Sequence, residues 1–156
     1  MLRFWRRDPR TLSPPRPHAS RVIRGGRLFD LSGLQTLLAS GKFDEDALVF
    51  GTRGARADRE RNRWTNEDVL HMLTLLREPA APAPRAVEEA NDYFKSEWCE
   101  VDGERGPRWI PCDVYRMHVD LQKLRRDNRG TQVYFKFSVE DDGYITIVMA
   151  SCHPST

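Results

Sequence analysis

The sequence predicts an α+β fold in which N-terminal helices pack on one face of an antiparallel sheet that ends in a C-terminal hairpin. Three observations support this. Residues Thr131 to Met149, TQVYFKFSVEDDGYITIVM, read as two strands around a turn. Residues Trp64 to Arg77 carry the spacing of an amphipathic helix, and the helical signals fall mainly before the strand signals.

In the hairpin, Val133, Phe135, Phe137 and Val139 alternate with Tyr134, Lys136 and Ser138, the period of a strand with one buried face. Asp141, Asp142 and Gly143 supply the turn, since glycine accepts positive φ without a Cβ clash. Ile145, Ile147 and Met149 then share one face of the returning strand. With the phenylalanines turned inward, Tyr134 and Lys136 project from the other side, about 7 Å apart along the strand. A phenol and an ammonium on a rigid strand suit an anionic ligand; the alternative is an ordinary solvated face.

The strongest helix is Trp64 to Arg77. Thr65 and Asp68 form a capping box, Trp64 and Val69 a hydrophobic staple, and Val69, Met72, Leu73 and Leu76 the buried stripe, with His71 off it on the surface. An earlier, shorter helix runs from Leu31 to Gly41, with Ser32 as N-cap, Leu34, Leu37 and Leu38 as its stripe and Gly41 as its stop. Ala47 to Phe50 has strand character. The segment GTRGARADRERNR after it, rich in glycine and alternating charge, reads as an exposed loop.

Pro79 ends the second helix, and EPAAPAPR is a stiff connector. Ala86 to Lys95 suits a short helix, and Glu97 to Arg108 a turn or mobile loop. Trp109 to Met117 starts as a strand interrupted by Pro111, which points to an edge position or a bulge. His118 to Arg129 fits a short helix or an extended loop equally well.

At 156 residues the chain suits one domain, 28–156, preceded by an Arg/Pro-rich arm, 1–27. The arm holds eight arginines against Asp8, about +7, inside a chain whose net charge is only +2. Its prolines and low apolar content predict no fixed structure, and its charge suits phosphates. MLRFWRR has the basic start of an export signal without the apolar stretch that follows one, and no run is long and apolar enough to span a bilayer, so the expected location is cytoplasmic, with no membrane partner. Cys99, Cys112 and Cys152 lack the close spacing of structural zinc sites and make an odd number for a disulfide framework, so no metal or other cofactor is expected.

Three segments in the second half, Asp92-Tyr93-Phe94-Lys95-Ser96, Asp113-Val114-Tyr115-Arg116 and Gln132-Val133-Tyr134-Phe135-Lys136, occur in an order that resembles the MqsR toxins, a branch of the RelE-like messenger-RNA interferases. The resemblance covers mainly Asn91 to Met149. It implies a RelE-like fold and a toxin of a type II toxin-antitoxin system, a metal-independent endoribonuclease that cuts single-stranded mRNA by attack of the ribose 2′-OH. It also implies a cognate antitoxin as partner, with the ribosome as a further candidate. The family lysine falls on Lys95 and the strand tyrosine on Tyr134. The family glutamine before DVY is replaced by Cys112, and a lysine near the family C-terminus has no match in MASCHPST.

Such chemistry takes a proton from the 2′-OH, stabilises a phosphorane with extra negative charge and protonates the departing 5′-oxygen. Lys95 and Arg116 are the expected phosphate ligands, Tyr134 a hydrogen-bond or proton donor, and His153 a candidate acid or base, since an imidazole titrates near neutrality. Lys136, Tyr115, Trp109 and Cys112 are the expected RNA-binding positions; Tyr93 and Trp98 are further aromatic rings available for base stacking. The competing reading is a non-catalytic nucleic-acid- or protein-binding module on the same fold.

Overall fold

The computed structural model describes residues 4–78 and 91–155. The expected connector from Pro79, and the first part of the helix expected from Ala86, lie outside the described residues. The fold is α+β: a 7-stranded, mostly antiparallel sheet with three α-helices among the described residues.

In chain order the elements are β1 (Val22–Ile23), α1 (Leu31–Ala39), β2 (Leu48–Phe50), α2 (Arg53–Asn62), α3 (Asn66–Leu75), β3 (Tyr93–Val101), β4 (Arg108–Asp120), β5 (Arg125–Arg126), β6 (Thr131–Asp141) and β7 (Ile145–Pro154). The sheet order is β1-β3-β4-β6-β7-β2, with β5 appended to β4; β2 runs parallel to β7 and the other pairs are antiparallel.

The hairpin forms from β6 and β7 around Gly143 at φ +103°, a left-handed turn position that glycine occupies without strain. Val133, Phe135, Phe137, Val139, Ile147 and Met149 are all buried, in one core with the stripe of α3 (Val69, Met72, Leu73) and with Leu31 and Leu34 of α1. The capping box of α3 is present, Asp68 N donating to Thr65 Oγ1 at 3.1 Å and Thr65 N to Asp68 Oδ2 at 2.8 Å. Helix α1 is capped by Asp30 rather than Ser32: the Asp30 carboxylate accepts from Gly33 N at 3.1 Å, and Ser32 is already inside the first turn.

Four further expectations are corrected. The Arg-rich segment after Phe50 is helix α2, not a loop. Thr52 caps it, and its buried face needs only Ala55 and Asp58, which is too little apolar content to show as a stripe. Tyr93–Val101 is a strand, where a short helix had been expected up to Lys95 and a loop from Glu97. The ambiguous segment from His118 continues β4 to Asp120 and returns as β5, through Leu124 at φ +50°. Finally, the Arg/Pro-rich arm is laid against the sheet: Phe4, Trp5 and Ile23 are buried, Arg6 N donates to Leu28 O at 2.7 Å, and β1 pairs with β3.

Strand β4 lies inside the sheet, yet Pro111 causes no break. Trp98, its partner on β3, gives its own N–H to Arg21 O, so this pair exchanges no hydrogen bonds and the Pro111 nitrogen faces the β6 side. The β4–β6 ladder begins only at Asp113. There the Trp5 indole donates to Val139 O at 2.9 Å, taking the place of the N–H that Pro111 lacks.

The sheet rolls up at one end. Asp102 N, just past β3, donates to Gly51 O, just past β2, at 2.7 Å, joining the strand next to one end of the sheet order to the strand at the other end. A Cβ on Gly51 would stand 2.9 Å from Val148 and 3.1 Å from Val101, so glycine permits this approach. The enclosed side chains, Cys99, Val101, Ile110, Cys112, Val148 and Ala150, form a second, smaller core on the face away from the helices.

Candidate functional site

The rest of that second face carries the polar groups. Cross-strand partners share a face, so the registers place Arg116 (β4), Tyr134 (β6) and His153 (β7) in one row across three adjacent strands. The next row is Lys95, Val114, Lys136 and Ser151. Glu97 follows, two residues beyond Lys95. Four sequence-predicted catalytic positions and Lys136 therefore lie on one surface, opposite the helices.

Two bulges produce this convergence. In β3, Tyr93 pairs with Tyr115 and Lys95 with Val114, which leaves Phe94 as the extra residue and turns Lys95 to the open face. In β7, Lys136 pairs with Ser151 and Phe137 with Met149, so Ala150 is the extra residue. Unbroken alternation from Ile147 and Met149 would send His153 into the helix-covered core. The bulge instead puts Cys152 there and His153 outside.

Glu97 binds the two lysines together. Its Oε2 lies 3.1 Å from Lys95 Nζ and its Oε1 2.7 Å from Lys136 Nζ. Burial works against ionisation of Glu97, but the Lys136 and Lys95 ammonium groups outweigh it and hold the carboxyl below its ordinary range. Burial likewise opposes the charge on Lys136, and Glu97 more than restores it, so that ammonium stays protonated to higher pH than usual. A cleft of about 390 Å³ opens beside them, lined in part by Glu97, Cys99, Lys136, Ala150 and Ser151.

Phe94, 43% exposed, has the Arg116 guanidinium 4.2 Å from its ring centroid and Lys95 Nζ at 5.3 Å. Cation–π attraction keeps both positive groups near the ring. On the other side of Tyr134, His153 Nδ1 lies 3.0 Å from Asp58 Oδ2 and 3.2 Å from Oδ1. Asp58 itself is buried at 4% exposure on α2, which packs along β7 beyond the end of β2. Lys95, Lys136 and Arg116 against Glu97 leave two formal positive charges for an incoming anion.

Three expected RNA-binding positions lie elsewhere. Tyr115 is fully buried on the helix side, stacked on Phe137 at 5.8 Å with its phenol pushed far up by burial, so it cannot receive a base. Cys112 is fully buried in the small core, where desolvation pushes its thiol well up. Trp109 is half-buried on the arm side under the Arg21 guanidinium, at 4.9 Å. Of the further aromatic rings, Trp98 is buried, and Tyr93 is half-buried with its hydroxyl 2.8 Å from Ser96 Oγ.

The acids of the recognised segments also hold structure rather than substrate. Asp113 accepts from Leu28 N at 2.9 Å, Phe29 N at 3.0 Å and Ser96 Oγ at 2.6 Å; burial raises its pKa despite these donors. Asp92 accepts from Arg77 N at 2.7 Å and Arg126 at 2.6 Å, tying β3 to the end of α3.

Sequence reasoning missed Glu97, Phe94 and Asp58. Glu97 is legible in hindsight, two residues from Lys95 on a strand, once β3 is read as a strand. Asp58 has no local signal, because its partner is 95 residues away. Comparison with protein families, with curated proteins and with solved structures finds no match for this chain, so its function has to be argued from the residues of this face.

Proposed function

We propose that this open sheet face binds single-stranded mRNA and cleaves it by attack of the ribose 2′-OH, and that the chain is an MqsR-like, RelE-fold toxin of a type II toxin-antitoxin system. The observation that carries the reading is the convergence of Arg116, Tyr134 and His153 in one cross-strand row beside the Lys95–Glu97–Lys136 cluster. Lys95, Lys136 and Arg116 hold the scissile phosphate and oppose the charge that builds on the phosphorane. Tyr134 and His153 stand beside them as proton carriers. Phe94 offers an exposed ring for an unstacked base. An antitoxin would silence the toxin by covering this face or by keeping it from the ribosome.

The test is cleavage of a mixed-sequence RNA by wild type, Lys95→Ala and Tyr134→Phe. The expected result is an upstream fragment ending in a cyclic phosphate, formed by wild type and strongly reduced in both variants. Undiminished cutting by both variants would remove the assignment.

A second reading, a non-catalytic RNA- or protein-binding module, is favoured by one observation: Glu97 already neutralises one charge of the lysine pair. It expects salt-dependent RNA binding with no cleavage by any form of the protein.

A further inference from the structure

We propose that Asp58 is a positioning residue that fixes the tautomer of His153 and so makes His153 Nε2 the general base of the cleavage reaction; this rests on the nuclease reading above. A carboxylate only accepts hydrogen bonds, so at contacts of 3.0 and 3.2 Å the His153 Nδ1 must carry the proton. In the neutral ring Nε2 is then the unprotonated nitrogen. The ring is otherwise open, with 56% of the side chain exposed against 6% for Asp58.

Asp58 is itself held in place. Helix α2 starts at the Thr52 cap, and Thr52 Oγ1 donates to Ala150 O at 2.9 Å, next to the β7 bulge that turns His153 outward. Arg61 Nη1 donates to Asp58 Oδ1 at 3.1 Å from the solvent side. Among the described residues, the charged and titratable groups that these contacts place beside His153 are Asp58 and Arg61 from α2 and Tyr134 from β6.

The register supplies the other half of the proton path, because Tyr134 is the direct cross-strand partner of His153. His153 Nε2 takes the 2′-hydroxyl proton as the 2′-oxygen forms its bond to phosphorus. The bond from phosphorus to the 5′-oxygen breaks, that oxygen takes the phenolic proton of Tyr134, and the imidazolium returns a proton to the phenolate. The products are a 2′,3′-cyclic phosphate and a 5′-hydroxyl. No oxidant, reductant or further reactant is consumed.

Two measurements on the full chain test this. The first is the ¹⁵N spectrum of the wild-type His153 imidazole at about pH 8, where a free imidazole is neutral. The expected state is protonated Nδ1 and bare Nε2, and a proton on Nε2 overturns the proposal. The second is steady-state cleavage by Asp58→Asn, expected to lose at least about 10-fold in kcat with KM unchanged; cutting at the wild-type rate overturns it. Should Asp58→Asn not fold, His153→Gly with added imidazole takes its place. Restored cutting supports the base role and no restoration overturns it. A wild type that cuts no RNA overturns the nuclease reading and the catalytic role of the dyad together, whereas a wild type that cuts alongside an equally active Asp58→Asn overturns only the dyad.

Discussion

The two faces of the sheet solve the same problem, a carboxylate removed from water, in opposite ways. Asp113, under the helices, is held by two backbone N–H groups and a serine hydroxyl, and burial still wins, raising its pKa. Glu97, on the open face, has two ammonium groups, and they win, lowering its pKa. Neutral donors fasten the segment just after the arm to the sheet at Asp113. The charged partners of Glu97 leave net positive charge facing solvent. The covered face is built for stability and the open face carries net positive charge, and neighbouring residues of one strand serve each.

The sharpest way to break that division is to mutate adjacent residues of β6. Phe135→Ala empties a fully buried position and is expected to cost about 3–5 kcal/mol of stability, read as a lower urea midpoint. Tyr134→Phe removes one half-buried hydroxyl from the other face. It is expected to leave the stability within about 0.5 kcal/mol of wild type while cleavage falls about 100-fold. If Tyr134→Phe proved as destabilising as Phe135→Ala, the open face would be part of the structural core.

The arm belongs with the covered face in this comparison, although its composition suggests otherwise. Trp5 is buried and its indole fills the gap in the ladder left by Pro111. Trp5→Ala is expected to destabilise the fold by about 3 kcal/mol. A variant with the exposed arm arginines Arg6, Arg16 and Arg24 replaced by glutamine should instead fold normally. A wild-type midpoint for Trp5→Ala would return the arm to the status of a loose tail.

How much of this was readable in the sequence follows from the range of the interactions. The β6–β7 hairpin and α3 were legible because period two, a glycine turn and a capping box are local signals. The shared face of Tyr134 and Lys136 followed from alternation alone. The position of His153 did not, because one extra residue at Ala150 inverts the phase of β7. Tyr115 and Cys112 were misassigned because their surroundings depend on which sides of β4 are covered, by the helices and by the rolled end of the sheet. The arm was misread because a few buried apolar residues vanish in a window dominated by arginine and proline.

The pH dependence of stability separates the two carboxylates. Glu97 ionises below its ordinary value of 4.5 in the folded chain, so its contribution is present above that value and is lost as pH falls through the folded pKa. Asp113 has the opposite sign. Its folded pKa lies above the ordinary 3.8, so its ionisation removes stability as pH rises from that value through the folded pKa. Urea midpoints measured through the acid range should fall less steeply below about 4.5 for Glu97→Gln than for wild type. Equal slopes would mean that the lysines do not control Glu97.

The smallest expected effect concerns how the open face holds a strand without cutting it. A single-stranded RNA engaged by Lys95, Lys136 and Arg116 releases counterions, and three such contacts give a slope of about −2 in a plot of log binding constant against log salt. Arg116→Gln should flatten that slope by somewhat less than one unit and also remove the cation from the Phe94 ring. Lys136→Gln should flatten it less, because Glu97 already engages the Lys136 ammonium at 2.7 Å and that cation has less charge to give to a phosphate. Arg116 is the cation whose partner is a ring rather than a carboxylate, so it is expected to carry more of the salt dependence than either lysine. Filter binding of a non-cleavable 2′-deoxy strand to the two single variants orders them directly, and a larger change for Lys136→Gln than for Arg116→Gln would place the phosphate nearer Glu97 than the row of Arg116, Tyr134 and His153.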